Sequence, residues 1–247
     1  VVENPASLGE LINQFATMPG YKVLVHGGGR SATKIAAQLG IESHMVGGRR
    51  ITDEDMLQVV TMVYGGLVNK RIVAALQAKG VNAVGLTGAD MDIIRSHKRE
   101  PKMVTMDDGS QQLVDFGFVG DVDYANGQRL ASLIRPKDEA QAVVPVVAPL
   151  THDGKGNILN TNADTMAATV AKALTEEFEV TLTYCFEKPG VMADADDDDS
   201  VIPTINTESY AQLKADGIVS GGMIPKLDNA FDSISSGVKR VVITHFM

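Results

Sequence analysis

One cysteine in 247 residues removes two possibilities at once: no intrachain disulfide can form, and Cys185 cannot build a thiolate metal cluster by itself. That scarcity fits a reducing compartment, and the cytoplasm is the expected home. Basic residues are also short, with 22 Lys and Arg against 31 Asp and Glu and a formal net charge of −9. A general nucleic-acid surface needs a basic face to neutralise phosphates, so that partner is excluded and any anion must be bound by local design. Long hydrophobic runs are missing too, since none reads as the roughly 20 apolar residues that span a bilayer. The start Val1-Val2-Glu3-Asn4-Pro5 lacks signal-peptide character, and neither membrane nor export is expected. The five histidines show no metal-ligand spacing, so no protein metal site is expected. No internal repeat is visible.

What is present is a soluble-type composition, 44% hydrophobic, long enough for one large α/β domain or two lobes. Helix-like and strand-like segments alternate. A helix is predicted near Ser7 to Thr17, a strand at Lys22 to His26, and a helix from Ser31 to Leu39. Asp53 to Lys79 reads as a long helix capped by Thr52 and closed by Gly80, with Gly65-Gly66 as a bend or break. Val81 to Thr87 is a strand, and Lys102 to Val122 alternates around Asp107-Asp108-Gly109 as a hairpin that interrupts a parallel sheet. Ala142 to Ala148 is a buried strand followed by a polar loop, Thr151 to Gly156, at the sheet end that favours function. Beyond it come a helix from Asp164 to Leu174, a strand from Val180 to Cys185, helices near Thr207 to Lys214 and Lys226 to Ser235, and a strand at Arg240 to Thr244. A soft boundary near Asp138 to Val144 separates an N-terminal lobe, residues 1–140, from a C-terminal lobe, residues 141–247, on one continuous sheet.

Three distant stretches ask for an anion. Gly27, Gly28 and Gly29 follow the apolar run Val23-Leu24-Val25 and precede a helix, so their side-chain-free N–H groups can approach a charged oxygen at the helix's positive end. A plain tight turn is the competing account. Gly27, Gly29 and Ala32 also meet a minimal dinucleotide pattern, but the acid about 20 residues on, Asp53 or Glu54, opens a helix instead of ending a strand. A Walker loop is excluded, since no lysine followed by Ser or Thr sits at the required spacing. In Asn160-Thr161-Asn162-Ala163-Asp164, Asn162 can simply cap a helix, yet that leaves Asn160 and Asp164 unexplained, whereas amides binding a carboxylate and an acid orienting lysines use all three. Lys226, after Gly221-Gly222 and Pro225, should open a helix, where an unpaired ammonium is misplaced unless a phosphate joins it. Arg49-Arg50 offers guanidinium forks for carboxylates. The run Asp196-Asp197-Asp198-Asp199, with Asp194, reads as a solvated acidic loop, and His26 as structural.

Taken together, Val25-His26-Gly27-Gly28-Gly29, Gly48-Arg49-Arg50-Ile51-Thr52, Phe118-Val119-Gly120-Asp121-Val122, Asn160 to Asp164 and Gly222-Met223-Ile224-Pro225-Lys226 resemble, in order, the acetylglutamate kinases of the amino acid kinase superfamily. The resemblance implies a carbamate-kinase-like α/β fold, a mainly parallel sheet sandwiched by helices with a hairpin insertion, and at least a homodimer. It implies MgATP-dependent phosphorylation of the side-chain carboxylate of N-acetyl-L-glutamate in arginine biosynthesis. By it, Gly27 and Gly28 hold the reacting end of the substrate, and Arg50 and Asn160 its α-carboxylate. Lys226 holds the phosphates, Asp164 organises the lysines as the second catalytic residue, and Glu187 and Gly190 contact nucleotide. Relatives usually have Ser-Asp where this chain has Phe186-Glu187. Their Lys-x-Gly-Gly strand and glycine-containing C-terminal end are expected outside the 247 residues. Alternatives are an N-succinyl substrate, suggested by Arg49 beside Arg50, another kinase of the superfamily acting on aspartate, carbamate or a nucleoside monophosphate, or a non-catalytic ligand sensor.

Overall fold

The computed structural model describes residues 2–106, 109–138, 141–186, 188–194, 196–219 and 223–245. The chain runs through α1 (Pro5–Thr17), β1 (Leu24–Val25), α2 (Gly29–Gln38), the ribbon β2 (Met45–Val46) and β3 (Arg49–Arg50), and the long α3 (Glu54–Gln77). There follow β4 (Ala83–Leu86), β5 (Ile94–Lys98), β6 (Lys102–Thr105), β7 (Gln111–Val114), β8 (Gly120–Ala125), α4 (Gly127–Ile134), β9 (Val144–Val147), β10 (Leu150–His152) and β11 (Ile158–Asn160). The chain closes through α5 (Ala163–Ala173), β12 (Thr181–Phe186), α6 (Thr207–Ala215), α7 (Met223–Ser235) and β13 (Arg240–His245).

At the centre β9 pairs in parallel with β1 on one side and β4 on the other. Successive strand residues face opposite ways, so neighbours on β9 belong to different cores. Val146 packs with Ile12, Phe15, Ala36, Val63 and Ile72 from α1, α2 and α3. Val147 packs with Leu130 of α4 and Met166 and Val170 of α5. A strand buried on both faces must be apolar at every position, which is why this segment reads as a continuous run. The result is a helix–sheet–helix sandwich whose strand ends, at Val25 and Val147, open where ligands bind in such folds.

Several expectations are corrected. The long helix is not broken at Gly65-Gly66. It continues through a π-helical stretch, Thr61–Val68, and Gly65 is packed near Leu150 and Thr87. By length and composition α3 is apolar enough to cross a membrane, 24 residues with a window of mean hydropathy 1.3, although no such run was expected. Here it is the core helix, contributing Met56, Val59, Val60 and Ile72, all 0–1% exposed. The hairpin ends at Val114, its turn residues 107–108 lying outside the described residues, and β8 instead pairs antiparallel with β5. The polar loop after β9 is itself a hairpin, β10 with β11, whose turn is closed by Asp153 accepting from the backbone of Lys155 at 2.7 Å and Asn157 at 3.0 Å. Helix α4 was not anticipated, and α7 starts at Met223, three residues before Lys226. In hydrogen-bonding terms the single continuous sheet is in parts among the described residues: β12 and β13 form their own parallel ladder, joined to the rest through α5.

Candidate active site

The ladder between β1 and β9 extends one residue further, His26 N donating to Val147 O at 3.2 Å, before the chain turns into the glycine loop. Gly28 is buried, and a Cβ there would stand 3.1 Å from Cδ1 of Tyr64 and 3.3 Å from Cγ2 of Val68. A side chain there would be crowded by α3. The N–H groups of Gly27, Gly28 and Gly29 meet no protein acceptor among the described residues, while Ser31 N, in the first turn of α2, is taken by Glu3 Oε1 at 2.6 Å. Three free donors at the positive end of a helix form a cradle for an anion.

Arg50 reaches this loop from β3. Its Nη2 donates to Gly29 O at 3.0 Å and Thr33 Oγ1 at 2.9 Å, and its Nη1 to Ser43 Oγ at 2.8 Å. Arg49 and Arg50, the glycine loop, Tyr64, Arg99 and the segment Asn160 to Ala163 line one cavity of about 210 Å³. Asn160, 8% exposed, is oriented by donating Nδ2 to Thr52 Oγ1 at 3.0 Å. Arg99, equally buried, forks onto Asp121 with Nε–Oδ contacts of 3.1 Å. That hydrogen bonding, above all, holds the Asp121 carboxyl below the usual carboxylate range. The guanidinium of Arg49 is half-buried and has no hydrogen-bond or ion-pair partner within reach among the described residues. Burial, and then the charge of Arg99, push its pKa down from the ordinary arginine value.

Next to the cavity α5 begins. Asn162 caps it, Oδ1 accepting from Thr165 N at 3.0 Å, so the bland role expected for this residue is real for Asn162 and leaves Asn160 free to face the cavity. Asp164, in the first turn, accepts a hydrogen bond from Lys226 Nζ at 2.7 Å. The Lys226 ammonium also lies 5.2 Å from the Tyr184 ring centre. Burial, and then the Asp164 charge, push the Tyr184 phenol well above its usual range. Lys226 thus sits within one helical turn of the helix start, as expected, but in the fourth position and not the first. Glu187, Gly221 and Gly222 lie outside the described residues. Gly190 is buried where a Cβ would meet Val201 at 2.9 Å, away from the cavity wall.

A larger open hollow, about 370 Å³, is lined by Asp92, Arg95, Ser96, Asp123, Tyr124 and Asp153. Its charges satisfy one another: Asp92 binds Arg95, Arg129 and His152, and Asp123 binds His97. Of these two, the smaller cavity, whose Arg49 guanidinium and glycine N–H groups have no partner among the described residues, is the better equipped for a ligand.

A family model described as the amino acid kinase family matches residues 1–245. The chain belongs to that family. Among amino acid kinases it groups with the acetylglutamate kinases: it is 62% identical over 244 residues to that of Phocaeicola vulgatus, spanning 99% of this chain and 89% of the relative. It is 60% identical over 244 residues to that of Parabacteroides distasonis, spanning 99% and 90%. In solved structures the fold recurs in N-acetylglutamate synthase from Neisseria gonorrhoeae complexed with coenzyme A and N-acetylglutamate, with TM-score 0.73, 23% identity, and 98% of this chain against 51% of that one. It recurs in Giardia carbamate kinase, with TM-score 0.62, 15% identity, and coverage of 99% and 85%.

Sequence reasoning about this amino acid kinase missed three residues of the site. Arg99 sits in the charged run His97-Lys98-Arg99-Glu100, which reads as solvated, and only pairing with Asp121 explains its burial. Tyr64 reads as one more core residue of a long helix. Thr52 reads as a helix cap, yet Asp53 supplies that cap, accepting from Met56 N at 2.8 Å, and Thr52 orients Asn160.

Proposed function

We propose that this kinase transfers the γ-phosphoryl group of ATP to the side-chain carboxylate of N-acetyl-L-glutamate, releasing ADP and an acyl phosphate, as a step of arginine biosynthesis. One observation carries the reading: the glycine loop with Arg50, and Asn160 to Ala163 more than 100 residues further on, line a single cavity beside the Lys226–Asp164 pair. Gly27 and Gly28 hold the reacting oxygens, and Arg50 and Asn160 hold the α-carboxylate, in an N-terminal lobe of residues 1–140. Lys226, with Glu187 and Gly190 in the segment after β12, serves the nucleotide in the lobe of residues 141–247.

A glutamate carboxylate, with an ordinary pKa of about 4.3, is already ionised near neutrality, so the reaction needs no general base. The barrier is repulsion between anions. The chain's contribution is in-line placement and positive potential from N–H dipoles and Lys226, with Asp164 fixing the ammonium. Mg²⁺ enters as part of the MgATP substrate. In this reading the nucleotide phosphates are its main ligands. We place the reaction in the cytoplasm, in a homodimer or larger homo-oligomer.

A coupled ADP-release assay with N-acetylglutamate, aspartate, carbamate and nucleoside monophosphates tests the proposal. Turnover on N-acetylglutamate is expected, and turnover confined to another acceptor, or none, would refute it. A second reading, an N-succinyl acceptor, is favoured by one feature: the half-buried guanidinium of Arg49 on the cavity wall lacks an anionic partner in contact among the described residues. The ratio of kcat/KM for the two acyl substrates decides between them.

A further inference from the structure

Behind the glycine loop runs a line of buried polar side chains that the phosphoryl transfer, as derived above, does not use. Asn69, from α3 and 1% exposed, donates its amide both to Val146 O on β9 at 2.9 Å and toward His26 Nε2 at 3.1 Å, and its Oδ1 accepts from Lys70 Nζ at 3.1 Å. A carbonyl on one side and an ammonium on the other leave the amide only one orientation. Because Nε2 receives that hydrogen, the single proton of the neutral imidazole sits on Nδ1, which lies 2.7 Å from Gly27 O and donates to it.

The peptide between Gly27 and Gly28 is trans, since the described chain contains no cis bond. In a trans peptide the C=O and the following N–H point in opposite directions. Gripping the Gly27 carbonyl on the His26 side therefore turns the Gly28 N–H to the other side. That N–H has no acceptor among the described residues, and Gly28 lines the cavity.

We propose that Asn69 and His26 are positioning residues for phosphoryl transfer: Asn69 holds His26 in its Nδ1–H tautomer, and His26 holds the Gly27 carbonyl so that the Gly28 N–H is aimed at the reacting oxygens. This rests on the reading of the glycine loop as the cradle. The surroundings keep the ring neutral, as the relay requires. Burial, with the nearby charge of Lys70 in the same direction and the Gly27 hydrogen bond opposing, brings its pKa from 6.5 down to about 4. Lys70 is the charged group that acts on the ring.

Two measurements on the whole protein test the proposal. Nitrogen-15 NMR with labelled histidine, the His26 signal assigned by its loss in His26→Gln, should report the Nδ1–H tautomer for that ring, and an Nε2–H tautomer there overturns the relay. In Asn69→Asp a carboxylate draws the proton to Nε2. At low pH a doubly protonated ring still grips Gly27, but as the ring loses a proton Nδ1 is left bare. The ratio of variant to wild-type kcat should therefore fall about tenfold between about pH 6 and about pH 9, with the KM for ATP unmoved. A flat ratio in a folded variant overturns the proposal, and if the variant does not fold, the tautomer decides alone. Failure of the functional reading looks different: the wild type itself would not turn over N-acetylglutamate.

Discussion

Lys226 Nζ stands 2.7 Å from Asp164 Oδ2, a pair that ties together the first turns of α5 and α7 although the two residues are 62 positions apart. An ammonium in the first turn of a helix opposes the helix dipole, and an acid at the start of another helix is favoured by it. The carboxylate thus fixes the Lys226 ammonium, and on the proposed function it fixes it where the incoming phosphates arrive. Lys226→Ala is expected to lower kcat by about a hundredfold or more while leaving the KM for N-acetylglutamate within a few-fold, since the charge it meets develops in transfer. Steady-state kinetics check this, and unchanged turnover would remove Lys226 from the mechanism. Asp164→Asn should cost less, because the ammonium survives and only its placement loosens.

Arg50 should show the opposite pattern. Its two nitrogens are already spread over Gly29, Thr33 and Ser43, a geometry that only a planar fork can span. Arg50→Lys is expected to raise the KM for N-acetylglutamate by about ten- to a hundredfold, the loss of one charge-assisted bidentate contact, with the KM for ATP little changed.

Gly28→Ala places a methyl group 3.1 Å from the Tyr64 ring, tighter than ordinary contact. The loop must shift out of register with the cavity, so kcat/KM should fall by well over tenfold while the melting temperature drops only a few degrees. Combining it with Tyr64→Leu relieves the crowding and should recover part of the loss. Equal activity of the two variants would show that packing on Tyr64 is not what places the loop.

Stability should depend on pH through His26. Its folded pKa, about 4, lies below the ordinary 6.5, so between those values the unfolded chain binds the extra proton. Stability is then complete above about pH 6.5 and declines as pH falls toward 4, by about 3 kcal/mol at most for this one group. Chemical denaturation at a series of pH values measures the slope, and His26→Phe should flatten it over that window. A variant as steep as the wild type would assign the acid sensitivity elsewhere.

The features legible in the sequence are those governed by neighbours in the chain. Val23 to Val25 followed by three glycines is a strand running into a helix start whatever else the fold does, and Asn162 before Ala163 is a cap by local chemistry. Other features depend on partners far away. Gly65-Gly66 reads as a breaker because glycine destabilises an isolated helix, yet here Gly65 fits near Leu150 and Thr87, contacts no window of sequence displays. Arg99 becomes a wall of the cavity only because Asp121 neutralises it across the β5–β8 pairing. The short α4 went unseen for a related reason: its worth lies in Leu130 and Ile134 meeting the far side of the sheet.

The π-helical stretch from Thr61 to Val68 acts as an angular offset. Its i→i+5 bonding, with Asn69 N donating to Tyr64 O, fits one extra residue into a turn and brings two residues five apart onto one face. Tyr64, inside the stretch, leans on Gly28, and Asn69, just past it, meets His26. Wound as a plain α-helix, the same residues would swing Asn69 about 100° away from Tyr64, separating the two supports of one loop without touching the loop itself.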